Sequence, residues 1–207
     1  MKFINSLIIL SIATFALPLS SLVAVAHEGH HSAEPPTKPI LDESIFNLTS
    51  KWTSQEGKTI SLNDLHGHAA VVAMVYTSCE KACPLIVEDL KKIEKQLLEK
   101  KITPVSILLF SFDTKRDTPE HLKAFADIRK LDLKRWTLFH GNEQAVRELA
   151  AVLGINYKRD SKGDFDHANV ITLIDSEGLV RQQQVGLGQD PKQMIAKATE
   201  LISNYPK

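Results

Sequence analysis

Two thiols and one imidazole in this 207-residue chain, Cys79, Cys83 and His167, could together make a soft metal site, and the thiols alone could run disulfide chemistry. Cys79 and Cys83 are the two cysteines of the whole sequence, spaced C-x-x-x-C in Tyr76-Thr77-Ser78-Cys79-Glu80-Lys81-Ala82-Cys83-Pro84, and a lone Asp166-His167 pair stands far downstream. The spacing is one residue longer than the C-x-x-C of dithiol oxidoreductases. It permits a disulfide, and it equally permits two thiolates on one ion. A purely structural bridge is the bland alternative. A loop of about five residues stabilises by only ~2 kcal/mol on the chain-entropy estimate, against ~3 for fifteen residues, so the pair is poorly placed as a staple.

The start of the chain reads as an export signal. Met1-Lys2 is positive, Phe3 to Leu17 is mostly apolar, Pro18 breaks the run, and Ala24-Val25-Ala26 supplies a small-x-small cleavage pattern. Residues 1–26 are therefore expected to be a cleaved signal peptide, with an inner-membrane anchor the alternative where cleavage fails. The run is interrupted by polar residues and is weaker than the ~20 apolar residues of a spanning helix. The protein is expected in the periplasm or otherwise exported, where cysteines bridge or bind metal. Residues 27–44 read as a mobile tail whose His27, His30 and His31 either form a polar leader or gather metal, and 45–207 as one domain. Twenty-five basic residues balance 25 acidic ones, so no positive field exists for nucleic acid.

The elements that must position the three donors alternate along the chain. Phe46-Asn47-Leu48-Thr49 and Thr59-Ile60-Ser61-Leu62 suggest a β-hairpin turning at Glu56-Gly57. Ala69 to Tyr76 is an unbroken apolar run, as in a strand covered on both faces, and Val105 to Phe110 and Trp136 to Phe139 continue the pattern. Between them lie helices over Pro84–Lys100, one opened by Thr118-Pro119-Glu120 with apolar Leu122, Phe125, Ala126 and Ile128, and one over Glu143–Leu153. Val170 to Ile174 and Val180 to Val185 make an antiparallel hairpin, and Pro191 to Tyr205 a last helix. The sum is an α/β fold with a central mixed sheet flanked by helices, parallel in the middle and antiparallel at its edge. Pro84 at the first helical position makes Cys83 the expected N-cap, with Cys79 on the loop leaving the first buried strand.

That order of elements resembles the thioredoxin superfamily, and four stretches resemble the Sco/SenC family of copper proteins: Thr77-x-Cys79-x-x-x-Cys83-Pro84, Ser111 through Pro119, Asp164-Phe165-Asp166-His167, and Leu173 through Gly178. The resemblance runs from about Phe46 to the C-terminus. It implies a thioredoxin-like fold, copper bound as Cu(I) and Cu(II) by Cys79, Cys83 and His167, and delivery of copper to the binuclear copper site of a respiratory oxidase. A copper-receiving oxidase subunit is the implied partner, with a thiol reductant or a copper donor beside it. Glu80, Thr114 and Ala168 stand where the family often has proline, proline, and serine or threonine.

Thiolate sulfur selects Cu(I) and imidazole keeps Cu(II) tolerable, so the donor set suits a protein that holds copper through a change of oxidation state. Asp166 is either an orienting partner of the His167 ring or a turn residue. His66, His68, His121 and His140 read as ordinary solvated or hydrogen-bonded histidines, and Asp113, Arg116 and Asp117 as a capping and ion-pair network. The competing function is a thiol-disulfide reductase using Cys79 and Cys83. Against it, no proline lies between Pro119 and Pro191, where exchange enzymes of this fold carry one facing the dithiol. A peroxiredoxin is excluded, since Val72 and Tyr76 occupy its proline and threonine positions.

Overall fold

The computed structural model describes residues 44–161 and 163–203. The expected signal at 1–26, the histidines at 27, 30 and 31, and Tyr205 of the last helix lie outside them. Seven strands form one sheet in the order β2-β1-β5-β4-β3-β8-β9: β1 Lys51–Ser54, β2 Thr59–Ser61, β3 Ala69–Val75, β4 Val105–Ser111, β5 Trp136–Gly141, β8 Val170–Ile174 and β9 Val180–Val185. β3, β4 and β5 run parallel, and β8–β9 and β1–β2 close the two flanks antiparallel. Helix α1 (Ala82–Glu99) and α4 (Lys192–Ser203) pack on each other and against β3, while α2 (Pro119–Ile128) and α3 (Glu143–Val152) pack against β5. This is the thioredoxin-like arrangement.

The apolar run of β3, Ala-Ala-Val-Val-Ala-Met-Val, is buried at every position, as a strand sandwiched by helices must be. α1 buries Cys83, Ile86, Val87, Leu90, Ile93 and Leu97 along one stripe. At the far side Trp52 meets Phe110 edge-on at 4.8 Å, and Phe110 stacks on Phe139 at 5.1 Å, joining the N-terminal hairpin to the core.

Two expected elements differ. The hairpin's first strand is Lys51–Ser54 and not the Phe46–Thr49 stretch, because Ser44 Oγ accepts from the Phe46 amide and starts a 3-10 turn at Ile45–Asn47. Helix α1 begins at Ala82 with Lys81 as its cap residue, so Cys83 lies inside the first turn and Pro84 one position further on. Proline is tolerated there because the first amides of a helix have no partner within it. A pair of strands that no periodicity signals, β6 (Tyr157–Arg159) and β7 (Phe165–His167), forms a separate two-stranded ribbon.

Candidate functional site

Register brings the distant donors to one end of the sheet. β3 and β4 pair from Ala69–Val105 to Val75–Ser111, so the loops following Val75 and Ser111 emerge together. β8 runs antiparallel to β3 with Ile171 opposite Ala73, which sets the residues just before Val170 beside the C-terminal end of β3. His167, the last residue of β7, therefore returns to the loop that carries Cys79. Cys79, Tyr76, Glu80, Lys81, Arg116, Asp164 and His167 line a single cavity of about 610 Å³.

The two thiols are free and unequal. Cys83 is fully buried, whereas Cys79 stands in the cavity wall, its sulfur accepting the Cys83 backbone N–H at 3.3 Å. Cys79 Sγ thus does the capping that Lys81 does not, since Lys81 makes no side-chain cap. The Cys83 thiol, the amides of Cys83 and Lys81, and the Tyr76 hydroxyl together outweigh burial and lower the Cys79 pKa to about 4. Cys83 moves the opposite way: the adjacent Cys79 sulfur, then burial, push its thiol up. Burial also raises the Tyr76 phenol, keeping it a proton donor at neutral pH.

His167 is 9% exposed, with the Phe112 ring at 4.7 Å and the Tyr76 ring at 6.3 Å. Its Nδ1 lies 3.1 Å from the Ala168 carbonyl oxygen. A carbonyl only accepts, so Nδ1 carries the proton and Nε2 keeps its lone pair. Burial lowers the imidazole pKa, which favours the neutral form a metal requires. The ring is thus oriented by Ala168, and Asp166, exposed and opposite Lys158 across the β6–β7 ribbon, does not make that bond.

Among the described residues, no group of three or more His, Cys, Asp or Glu side chains stands close enough to hold a metal ion. The sulfurs are adjacent, and the imidazole shares the cavity with Cys79 without closing onto the pair. None of His66, His68, His121 or His140 lines this cavity. His66 instead lies 3.0 Å from Glu177, and His121 Nδ1 3.3 Å from Thr118 Oγ1.

The loop between β4 and α2 ties the pieces together. Buried Asp117 accepts from the Thr77 amide at 2.9 Å, from Thr77 Oγ1 at 2.5 Å and from Ser111 Oγ at 2.5 Å, anchoring the loop that leads to Cys79. Buried Asp113 accepts from the amides of Lys115 and Arg116 and from Arg116 Nε. The sequence reading of Asp113, Arg116 and Asp117 as a capping and ion-pair network agrees with these bonds. What it missed is their reach to both donor-bearing segments.

A thioredoxin-like sheet thus carries a dithiol at the start of its first long helix and a buried neutral imidazole in the cavity that Cys79 lines. Residues 42–203 match the SCO1/SenC family, and the chain belongs to it. A SCO1 protein homolog of Bacillus subtilis is 28% identical over 143 residues, covering 68% of this chain and 74% of the relative. BsSco, described as a member of the Sco family of cytochrome c oxidase assembly proteins, superposes with TM-score 0.66 at 24% identity, covering 75% of this chain and 92% of its own. Copper-bound ScoI of Arabidopsis thaliana superposes with TM-score 0.66 at 17% identity, covering 75% and 97%.

Proposed function

We propose that this protein is an exported copper-binding metallochaperone that takes copper on Cys79, Cys83 and His167 and passes it to the binuclear copper site of a respiratory oxidase. The observation that carries this reading is the pairing, in one cavity, of a stabilised Cys79 thiolate with a neutral, proton-on-Nδ1 imidazole, with a second sulfur directly behind. Two sulfurs and one nitrogen suit Cu(I) and admit Cu(II). Family membership, the copper found in the Arabidopsis protein and the assembly role described for BsSco support it.

Copper is the cargo, and the chain's own groups manage it. Cys79, already a thiolate, engages first. Cys83 gives up its proton as it binds, and His167, presented from the β6–β7 ribbon, completes the set. Three protein donors leave one side open for an incoming thiolate or imidazole of the receiving subunit, so that copper moves by ligand exchange. Residues 1–26 serve as the export signal, cleaved or, failing that, kept as an anchor, and the copper domain includes Ser44, which caps its first 3-10 turn. No helix among the described residues is long and apolar enough to cross a membrane.

The split between Cys79 and Cys83 also favours a second reading, reduction of a client disulfide. The Cys79 thiolate attacks one client sulfur and the other leaves as a thiolate. Cys83 then loses its proton and attacks Cys79 Sγ, releasing the reduced client and leaving a Cys79–Cys83 disulfide that an external thiol reductant resets. Titrating the reduced protein with Cu(I) and Cu(II) beside Cys79→Ala and His167→Ala, with a disulfide-reduction assay on all three, separates the readings. Copper affinity lost in both variants supports the chaperone. Unchanged affinity without the imidazole, with brisk turnover that only Cys79→Ala abolishes, supports the reductase.

A further inference from the structure

We propose that Arg116 is a positioning residue, a two-pronged bridge that holds the β6–β7 ribbon and thereby fixes where His167 is presented to Cys79. The metal arm of this inference rests on the copper reading above, and the metal-free arm does not.

The ribbon needs a tether. β6 and β7 are three residues each, pair only with one another and stand apart from the seven-stranded sheet. Two short strands alone are marginal in water. The ribbon's aromatic face, Tyr157, Phe165 and His167, lies on Phe112 and Tyr76, and the polar hold on its tip comes from the β4–α2 loop. Arg116 Nε donates to buried Asp113, while its terminal NH2 donates to the Gly163 carbonyl at 2.7 Å and lies 3.8 Å from Asp164. Arg159, on β6, adds a parallel hold: its Nε donates to the same Gly163 carbonyl at 3.3 Å and its NH2 lies 3.8 Å from Asp113. Within the tip, Asp164 N donates to Asp160 Oδ1 at 2.9 Å and Asp160 N to the Asp164 carbonyl at 2.8 Å, tying these two residues together.

The same loop holds the other donor segment. Asp117, one residue after Arg116, fixes Thr77, two residues before Cys79. A single short stretch, Ser111 to Thr118, therefore sets both ends of the gap that His167 and the sulfurs must close around an ion. Arg116 is the part that faces the cavity. A planar guanidinium bridges a carboxylate and a carbonyl at once, which a lysine ammonium on a flexible stem does poorly.

The test uses Arg116→Met and Arg116→Lys in the full chain, each with and without His167→Ala. Metal-free protein is followed by amide hydrogen exchange. Arg116→Met should speed exchange across Tyr157–His167 at least tenfold while β3 and β4 keep their protection. With Cu(II) as the probe, it should weaken binding about tenfold when His167 is present and not at all in the His167→Ala background. Arg116→Lys should behave like Arg116→Met. Unchanged ribbon exchange, equal weakening in both backgrounds, or wild-type behaviour of Arg116→Lys would each overturn the bridge. Faster ribbon exchange with copper binding indifferent to His167→Ala would sustain the bridge and instead remove His167 from the proposed ligand set.

Discussion

In the reduced, metal-free protein Cys79 should be an anion throughout the neutral range. With its pKa lowered to about 4, Cys79 is well over 99% thiolate at pH 7, where an ordinary thiol of pKa ~8.5 is about 3% ionised. Alkylation by iodoacetamide, followed by intact mass, should therefore give a first adduct, at Cys79 ahead of buried Cys83, whose rate is nearly flat from pH 5 to pH 8. An ordinary cysteine would climb about tenfold per pH unit up to its pKa. The plateau rate should itself be modest, because nucleophilicity falls with pKa at a Brønsted slope of about 0.4–0.5. Cys83→Ala removes the largest cause, the Cys83 thiol hydrogen bond, and should move the midpoint upward toward the ordinary value while leaving the residue-83 amide in place. The stability of the reduced protein carries the same sign. A thiol whose folded pKa is depressed contributes fully above its unfolded pKa of ~8.5, and that contribution is lost as the pH falls toward 4. A midpoint above about pH 7 in the wild-type protein, or none of the upward shift in Cys83→Ala, would refute the reasoning.

Removing Asp117 should be costly because three donors lose their acceptor: Asp117→Ala is expected to destabilise by about 3–5 kcal/mol in urea unfolding, and a loss under about 0.5 kcal/mol would mean water replaces it freely. Gly178 has φ +75° and a Cβ built there would lie 2.7 Å from both the Phe46 ring and Ser44 Oγ, so Gly178→Ala should cost at least about 2 kcal/mol by the same measurement. For Asp113, burial acts to raise the carboxyl, but hydrogen bonds from Arg116 and Lys115 prevail and hold it below the usual range. Its contribution is complete above pH ~4 and lost as the pH falls through the lower folded value, so Asp113→Asn should flatten the acid limb of stability between pH 5 and 2. An unchanged limb would exclude it.

The strands with strong apolar runs were legible because burial on both faces leaves an unmistakable pattern. Val170–Ile174 and Val180–Val185 stand at the expected bounds, with the turn at Asp175–Gly178 closed by Asp175 accepting from the Glu177 and Leu179 amides. Thr118 and Pro119 open α2 as cap and first residue, since both signals are local. The start of α1 was misplaced because Pro84 is compatible with more than the first position, and a sulfur four residues before Cys83 took over the capping. Tyr157-Lys158-Arg159 and Phe165-Asp166-His167 carry no apolar period, since the ribbon lays Tyr157, Phe165 and His167 on Phe112 and Tyr76 and is otherwise held by polar contacts of Arg116 and Arg159. For the site, Cys79 and Cys83 announce themselves by spacing. His167 could be joined to them from sequence by its motif alone, although the β3–β8 register supplies the physical reason.

The burial of Cys83 behind Cys79 imposes a queue. Anything that arrives through the cavity, whether an ion, an oxidant or another protein's sulfur, meets the outer cysteine before the inner one can take part. Depth below the surface thus orders access to the two sulfurs, independent of what turns up.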